Sequence, residues 1–142
     1  MFHILKYEDR LASWSNFREL LENCQDPIKE AIAFYDNAPR VSINTDPWDR
    51  STWPNPWELI YENQYCNFCI LLGICYSLQL TNCFTGQLFE IYIGTDREKS
   101  KTVYLLCVAQ KAIDIEENTI ADKQQMLDQI HIEKSYVMEE LN

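Results

Sequence analysis

Glycine and histidine are nearly missing from this chain. It has three glycines, at 73, 86 and 94, among 142 residues. That excludes a glycine-rich phosphate loop and leaves few turns free to use positive φ. The two histidines, His3 and His131, lie near the two ends and leave no Ser-His-Asp set to assemble. Basic residues are also scarce, 12 against 22 acidic ones, for a net charge of −10. Such a surface repels phosphate backbones and anionic membranes, so neither nucleic acid nor a membrane is an expected partner. The longest apolar run, Phe68 to Tyr76, is too short to span a bilayer. The opening MFHILKYEDR has no basic n-region and its apolar run breaks at Lys6, so it does not read as a signal peptide. A cytoplasmic location follows as the expectation. The six cysteines are then expected to be reduced thiols that pack as small hydrophobes.

What is present is enough to fold. Hydrophobic residues make up 46% of the chain and aromatics 13%, which suits one domain over residues 1–142 with a single core. Phe2 to Tyr7 reads as a short first strand. Asn16 and Glu19 have the form of a capping box. Phe17, Leu20, Leu21 and Cys24 then mark one helical face, and Asp26-Pro27 restarts the helix, so helices are expected over 16–36. Residues 37–55 form an arm rich in Trp and Pro. Asn55, Pro56 and Glu58 open a central helix expected over 56–80, apolar on every face from Phe68 on. Gly73 in mid-helix costs about 1 kcal/mol relative to Ala, which the close approach of another element would justify.

The period then changes. Residues 87–116 read as three antiparallel strands in a meander, with a charged hairpin loop at 95–100 and a tighter turn at 109–112. The acidic segment 117–142 is read as helix ahead of strand, although His131 to Met138 could pair with a sheet edge. The expected fold is therefore α+β: N-terminal helices and a buried central helix packed on a sheet of three or four antiparallel strands.

Cys66-Asn-Phe-Cys69 is a C-x-x-C. A structural zinc site needs four ligands, usually two such pairs, and no second pair exists. A thioredoxin-type redox site opens a helix, whereas here both cysteines are expected two turns inside one. Buried core thiols are the plainer reading. No cofactor or metal is expected. The Asp-x-Asp-x-Asp-Gly pattern of a calcium loop is absent, and the adjacent pairs Glu116-Glu117 and Glu139-Glu140 read as solvated charge. Trp48, Trp53 and Trp57 on the arm either cap the core or form a partner-binding surface, since Trp is prominent among interface hot spots.

The order of elements over residues 57–116, a cysteine on a core helix followed by strands, resembles the transglutaminase-like branch of the papain-like superfamily. The resemblance implies that Cys66 matches the nucleophile and Asp114 the acid that orients a histidine. It also implies a histidine near Thr102 to Tyr104, and none is there, which points to a core without activity. The stretch W-P-N-P-W-E-L-I followed by Tyr-Cys looks like short proteins of tailed bacteriophages. That resemblance implies a virion component, or an accessory protein acting in the host cytoplasm.

The function expected on these grounds is a non-enzymatic interaction or assembly protein, with a protein partner or self-assembly through Trp48, Trp53 and Trp57. The alternative is a cysteine-dependent acyl-transfer enzyme, transglutaminase-like or protease-like, centred on Cys66. It requires an accessible thiol of lowered pKa.

Overall fold

The computed structural model describes residues 1–141. The fold is α+β, with five α-helices and a five-stranded antiparallel sheet among those residues. The chain forms two compact units, Met1–Thr85 and a second from Gly86 on.

The first unit is helical: α1 (Tyr7–Asn23), α2 (Pro27–Tyr35), α3 (Pro56–Glu62) and α4 (Asn67–Gln79). Asp26 caps α2 through the Lys29 N–H, with Pro27 in the first turn, and Asn55 with Glu58 closes a full capping box on α3. Three expectations need correction here. The strand over Phe2–Tyr7 does not form. Phe2 instead packs its ring against Phe34, Tyr35 and Tyr65, with centroids 5.1, 5.6 and 5.6 Å away. Helix α1 begins nine residues before Asn16, and its buried stripe is Arg10, Trp14, Phe17 and Leu21. An arginine in that stripe hides the apolar period. It is buried because its guanidinium donates to the carbonyls of Ile4, Leu5, Ile60 and Tyr61 at 2.8–2.9 Å.

The third correction is the central helix, which is two helices. Asn63 takes a left-handed conformation (φ 52°) that ends α3, as Asn tolerates. The next residues bond to the arm: Tyr65 N–H donates to Pro39 O at 3.0 Å and Val41 N–H to Tyr65 O at 3.2 Å. Helix α4 starts after this short bridge and is buried on every face from Phe68 to Leu78. Gly73 sits where the Tyr35 ring comes close.

The second unit has strands β1 (Glu90–Asp96), β2 (Thr102–Val108), β3 (Lys111–Asp114), β4 (Thr119–Asp122) and β5 (Ile130–Val137), in the spatial order β4-β3-β2-β1-β5. Helix α5 (Lys123–Asp128) joins the last two, and Met126 and Leu127 pack on a cluster of Val103, Leu105, Cys107, Ala112 and Ile130. The meander β1-β2-β3 is as expected, including the tight turn at Ala109-Gln110, where both residues have positive φ. The sheet is larger than expected, however, and the favoured helix of the C-terminal segment shrinks to α5. Residues 130–137 pair with the free edge of β1, and Met138 N–H extends the pairing to Phe89 O at 2.8 Å. The helical stripe of that segment was thin, and an unpaired β1 edge offers more backbone hydrogen bonds than a thin stripe offers burial.

Candidate functional site

The break between α3 and α4 changes the meaning of the C-x-x-C. Cys66 is the N-cap of α4, with extended backbone (φ −77°, ψ 171°). Cys69 is three residues on, in the first turn. The two thiols share a hydrogen bond. The expectation that both lie two turns inside a helix is therefore wrong, because the Asn63 turn starts a fresh helix just ahead of them.

Cys66 is 5% exposed and Cys69 1%, so the static structure buries both and does not show the accessible thiol that the enzyme alternative requires. Their acidities diverge. The thiol of Cys66 is pushed well below the ordinary cysteine value, first by the hydrogen bond from Cys69 and then, against the cost of burial, by the backbone N–H groups of Cys69, Asn44 and Phe68. Two of those N–H groups belong to the unsatisfied first turn of α4, where an anion is favoured. The thiol of Cys69 is pushed up, by its donation to Cys66 and by burial. Of the pair, Cys66 is the more acidic thiol and Cys69 the less acidic one. Burial alone pushes Cys75 up, and Cys107 up to about 12, so those two behave as plain core thiols.

The arm supplies the rest of this site. Thr45, 6% exposed, places Oγ1 3.2 Å from Cys69 Sγ. Cys69 Sγ also lies 3.6 Å from Asn44 Oδ1. Asn44 and Thr45 were missed in the sequence because nothing in their local pattern links them to a cysteine more than twenty residues on. Among the arm tryptophans, Trp53 lays its ring against Phe68 with centroids 5.0 Å apart and donates Nε1–H to Asp46 O at 3.0 Å. Trp48 and Trp57 are 41% and 46% exposed, and Trp57 lines a shallow cavity with Tyr7, Glu58 and Tyr61.

Asp114 lies in the second unit at the end of β3, 8% exposed. Its Oδ1 accepts from the Glu116 and Glu117 N–H groups at 3.1 and 3.3 Å, and burial raises its pKa. There it ties the turn between β3 and β4. Residues 102–104 at the start of β2 are Thr, Val and Tyr. Both histidines are exposed, His131 on β5 opposite Thr95, and none of the groups that set the acidity of Cys66 is a histidine.

A cysteine at the start of a core helix, followed in the chain by an antiparallel sheet, is the arrangement of a transglutaminase-like core, and the likeness to a solved structure supports that fold. The chain is similar to Legionella pneumophila LapG in its calcium-bound structure, with a TM-score of 0.68 at 14% identity over 94% of this chain and 77% of that one. LapG has a transglutaminase-like cysteine protease fold. No family model and no curated protein matches in sequence.

This likeness corrects the expectation that the chain is not an enzyme, because the fold it shares is that of a cysteine protease. The resemblance to bacteriophage proteins gains no support. Among the described residues, no three His, Cys, Asp or Glu side chains are grouped to hold a metal. No helix among the described residues is long and apolar enough to cross a membrane.

Proposed function

We propose that this chain is a cysteine-dependent acyl-transfer enzyme with Cys66 as its nucleophile. The observation that carries the reading is the position of Cys66 at the N-cap of α4, where three backbone N–H groups and the Cys69 thiol favour its anion. In most such enzymes a histidine creates the thiolate. Here that part falls to the Cys69 thiol and to the backbone N–H groups of Cys69, Asn44 and Phe68. The attack step thus needs no general base: the sulfur adds to an acyl carbonyl, the leaving group departs, and a thioester remains. Water or an amine then takes the acyl group.

What a histidine would still provide is a proton for a poor leaving group. Without one on β2, the chemistry suits activated acyl donors, thioesters or esters with acidic leaving groups, ahead of peptide amides. Asp114 is the orienting acid only by resemblance. Its carboxylate is committed to the β3–β4 turn, and catalysis here is assigned to Cys66 alone.

The test is a pre-steady-state assay with a chromogenic aryl ester. The expected result is a burst of phenolate matching the enzyme concentration and absent in Cys66→Ser, with acylation located at Cys66 by mass spectrometry. Acyl label on the exposed Cys83 instead, or a burst that survives Cys66→Ser, overturns the reading.

A further inference from the structure

Cys69 favours the Cys66 anion but makes and breaks no bond in that chemistry, yet it is placed with as much care as Cys66. It sits three residues on in the first turn of α4, bears on the acidity of the Cys66 sulfur, and has its own sulfur 3.2 Å from Thr45 Oγ1 and 3.6 Å from Asn44 Oδ1 of the arm. Residues three apart at a helix start are neighbours, within the Cα separation of about 4.4–6.8 Å that a disulfide spans. The N-cap residue is outside the helical conformation, so closing the bond does not require the helix to unwind.

We propose that Cys66 and Cys69 form a hydroperoxide-responsive pair in which Cys66 is oxidised first and Cys69 resolves it to an intrachain disulfide. The Cys66 thiolate attacks one oxygen of the hydroperoxide. The O–O bond breaks, the sulfur becomes a sulfenic acid, oxidised by two electrons, and hydroxide leaves and takes a proton to give water. The Cys69 sulfur then attacks the Cys66 sulfur. The S–O bond breaks, and the departing hydroxide takes the Cys69 proton as a second water. Two thiols and one hydrogen peroxide give one disulfide and two waters.

Each step fits what the site offers. Oxidation requires the thiolate, which Cys66 supplies, and resolution requires a thiol alongside. Cys66 is 5% exposed, which suits hydrogen peroxide, a molecule little larger than water, as the oxidant. The disulfide removes the thiolate that acyl transfer uses, so the pair would also switch that proposed activity off. The bond itself needs neither a histidine nor acyl transfer. The preference for buried core thiols over a redox site rested on a continuous helix, and that helix is broken at Asn63.

The experiment treats the native full chain with hydrogen peroxide below one equivalent, blocks remaining thiols with iodoacetamide, and maps the cysteine peptides by mass spectrometry. The expected product is a Cys66–Cys69 disulfide, reversed by dithiothreitol, formed before Cys83 or Cys24 is modified. In Cys69→Ser, dimedone should capture a sulfenic acid at Cys66, and in Cys66→Ser residue 69 should stay reduced. Oxidation that begins at the exposed Cys83 while Cys66 and Cys69 stay reduced overturns the proposal, and this wild-type result does not depend on any variant folding. A disulfide without an ester burst removes the acyl-transfer reading alone. A burst without a disulfide removes the redox pair alone.

Discussion

The Tyr35 ring lies against the backbone of Gly73 so closely that a Cβ added at 73 would stand 2.5 Å from Tyr35 Cε1 and 2.9 Å from Cζ. Tyr35 is fully buried, and its hydroxyl meets Ser77 Oγ at 3.1 Å, so the ring cannot swing aside without breaking that bond. Gly73→Ala should therefore destabilise the protein, by up to about 2 kcal/mol, because overpacking (about 1–3 kcal/mol) outweighs the roughly 1 kcal/mol of helix propensity gained. Urea unfolding checks this. If the substitution stabilises, the close packing of Tyr35 on α4 is wrong.

Ser77 is the hub of a small buried network. Its Oγ–H donates to Gly73 O at 2.8 Å, while Trp14 Nε1–H donates to its oxygen at 2.9 Å. Ser77→Ala leaves an indole N–H and a phenol without their shared partner inside the core, at an expected cost of about 1–3 kcal/mol. Tyr35→Phe removes the phenol instead and should cost less. A double-mutant cycle between the two positions should show coupling.

Arg10 should tolerate no substitution. Its donors reach four main-chain carbonyls, two before α1 and two at the end of α3. A lysine offers a point charge in place of a planar fork and cannot reach all four. Arg10→Lys should lose about 2–4 kcal/mol, from hydrogen bonds to a charged group at roughly 1.5–3 kcal/mol each with partial replacement. Equal stability of the two proteins would show that these carbonyls find other donors.

Stability should depend on pH through Cys66. Its folded pKa is lowered, so between that value and the unfolded thiol's of about 8.5 the unfolded chain holds a proton that the native chain has released. Stability therefore rises with pH across that window, and the contribution is lost as pH falls through the folded pKa. Denaturation midpoints measured from mildly acid to mildly alkaline pH should rise for the wild type and flatten in Cys66→Ser. Parallel curves would show that the thiolate is not favoured by folding.

The turn at Ala109-Gln110 carries strain. Both residues have positive φ, 52° and 63°, at a two-residue connection that favours Asn-Gly. Replacing the pair by Asn-Gly should stabilise the chain by about 1 kcal/mol, since left-handed backbone costs about 1–2 kcal/mol for an ordinary residue. A raised melting temperature checks it.

Much of this architecture is written locally. Asp26-Pro27 and Asn55-Pro56 with Glu58 start α2 and α3 by chemistry confined to a few residues. The burial of α4 on all faces follows from its unbroken apolar run. The meander β1-β2-β3 follows from β-branched strands and their turns. The likeness of residues 57–116 to a transglutaminase-like core was readable as an order of elements, which the fold of LapG supports. What misled was also local. The start of α1 was missed because Arg10 is buried by four acceptors at positions 4, 5, 60 and 61, and no sequence window includes them all.

The sequence by itself determined the class of fold, the helix starts, the scarcity of bases and the presence of two cysteines three apart. Only the tertiary structure decided that those cysteines stand at a helix N-terminus. That turned on Asn63, whose left-handed turn is fixed by bonds to Phe2 O and by the pairing of Tyr65 with the arm. It also decided that residues 130–137 are a strand, because the edge of β1 supplies hydrogen bonds that the segment cannot foresee. In both cases the deciding partner is distant in sequence, and a weak local preference yields to backbone groups that must be satisfied where they are buried.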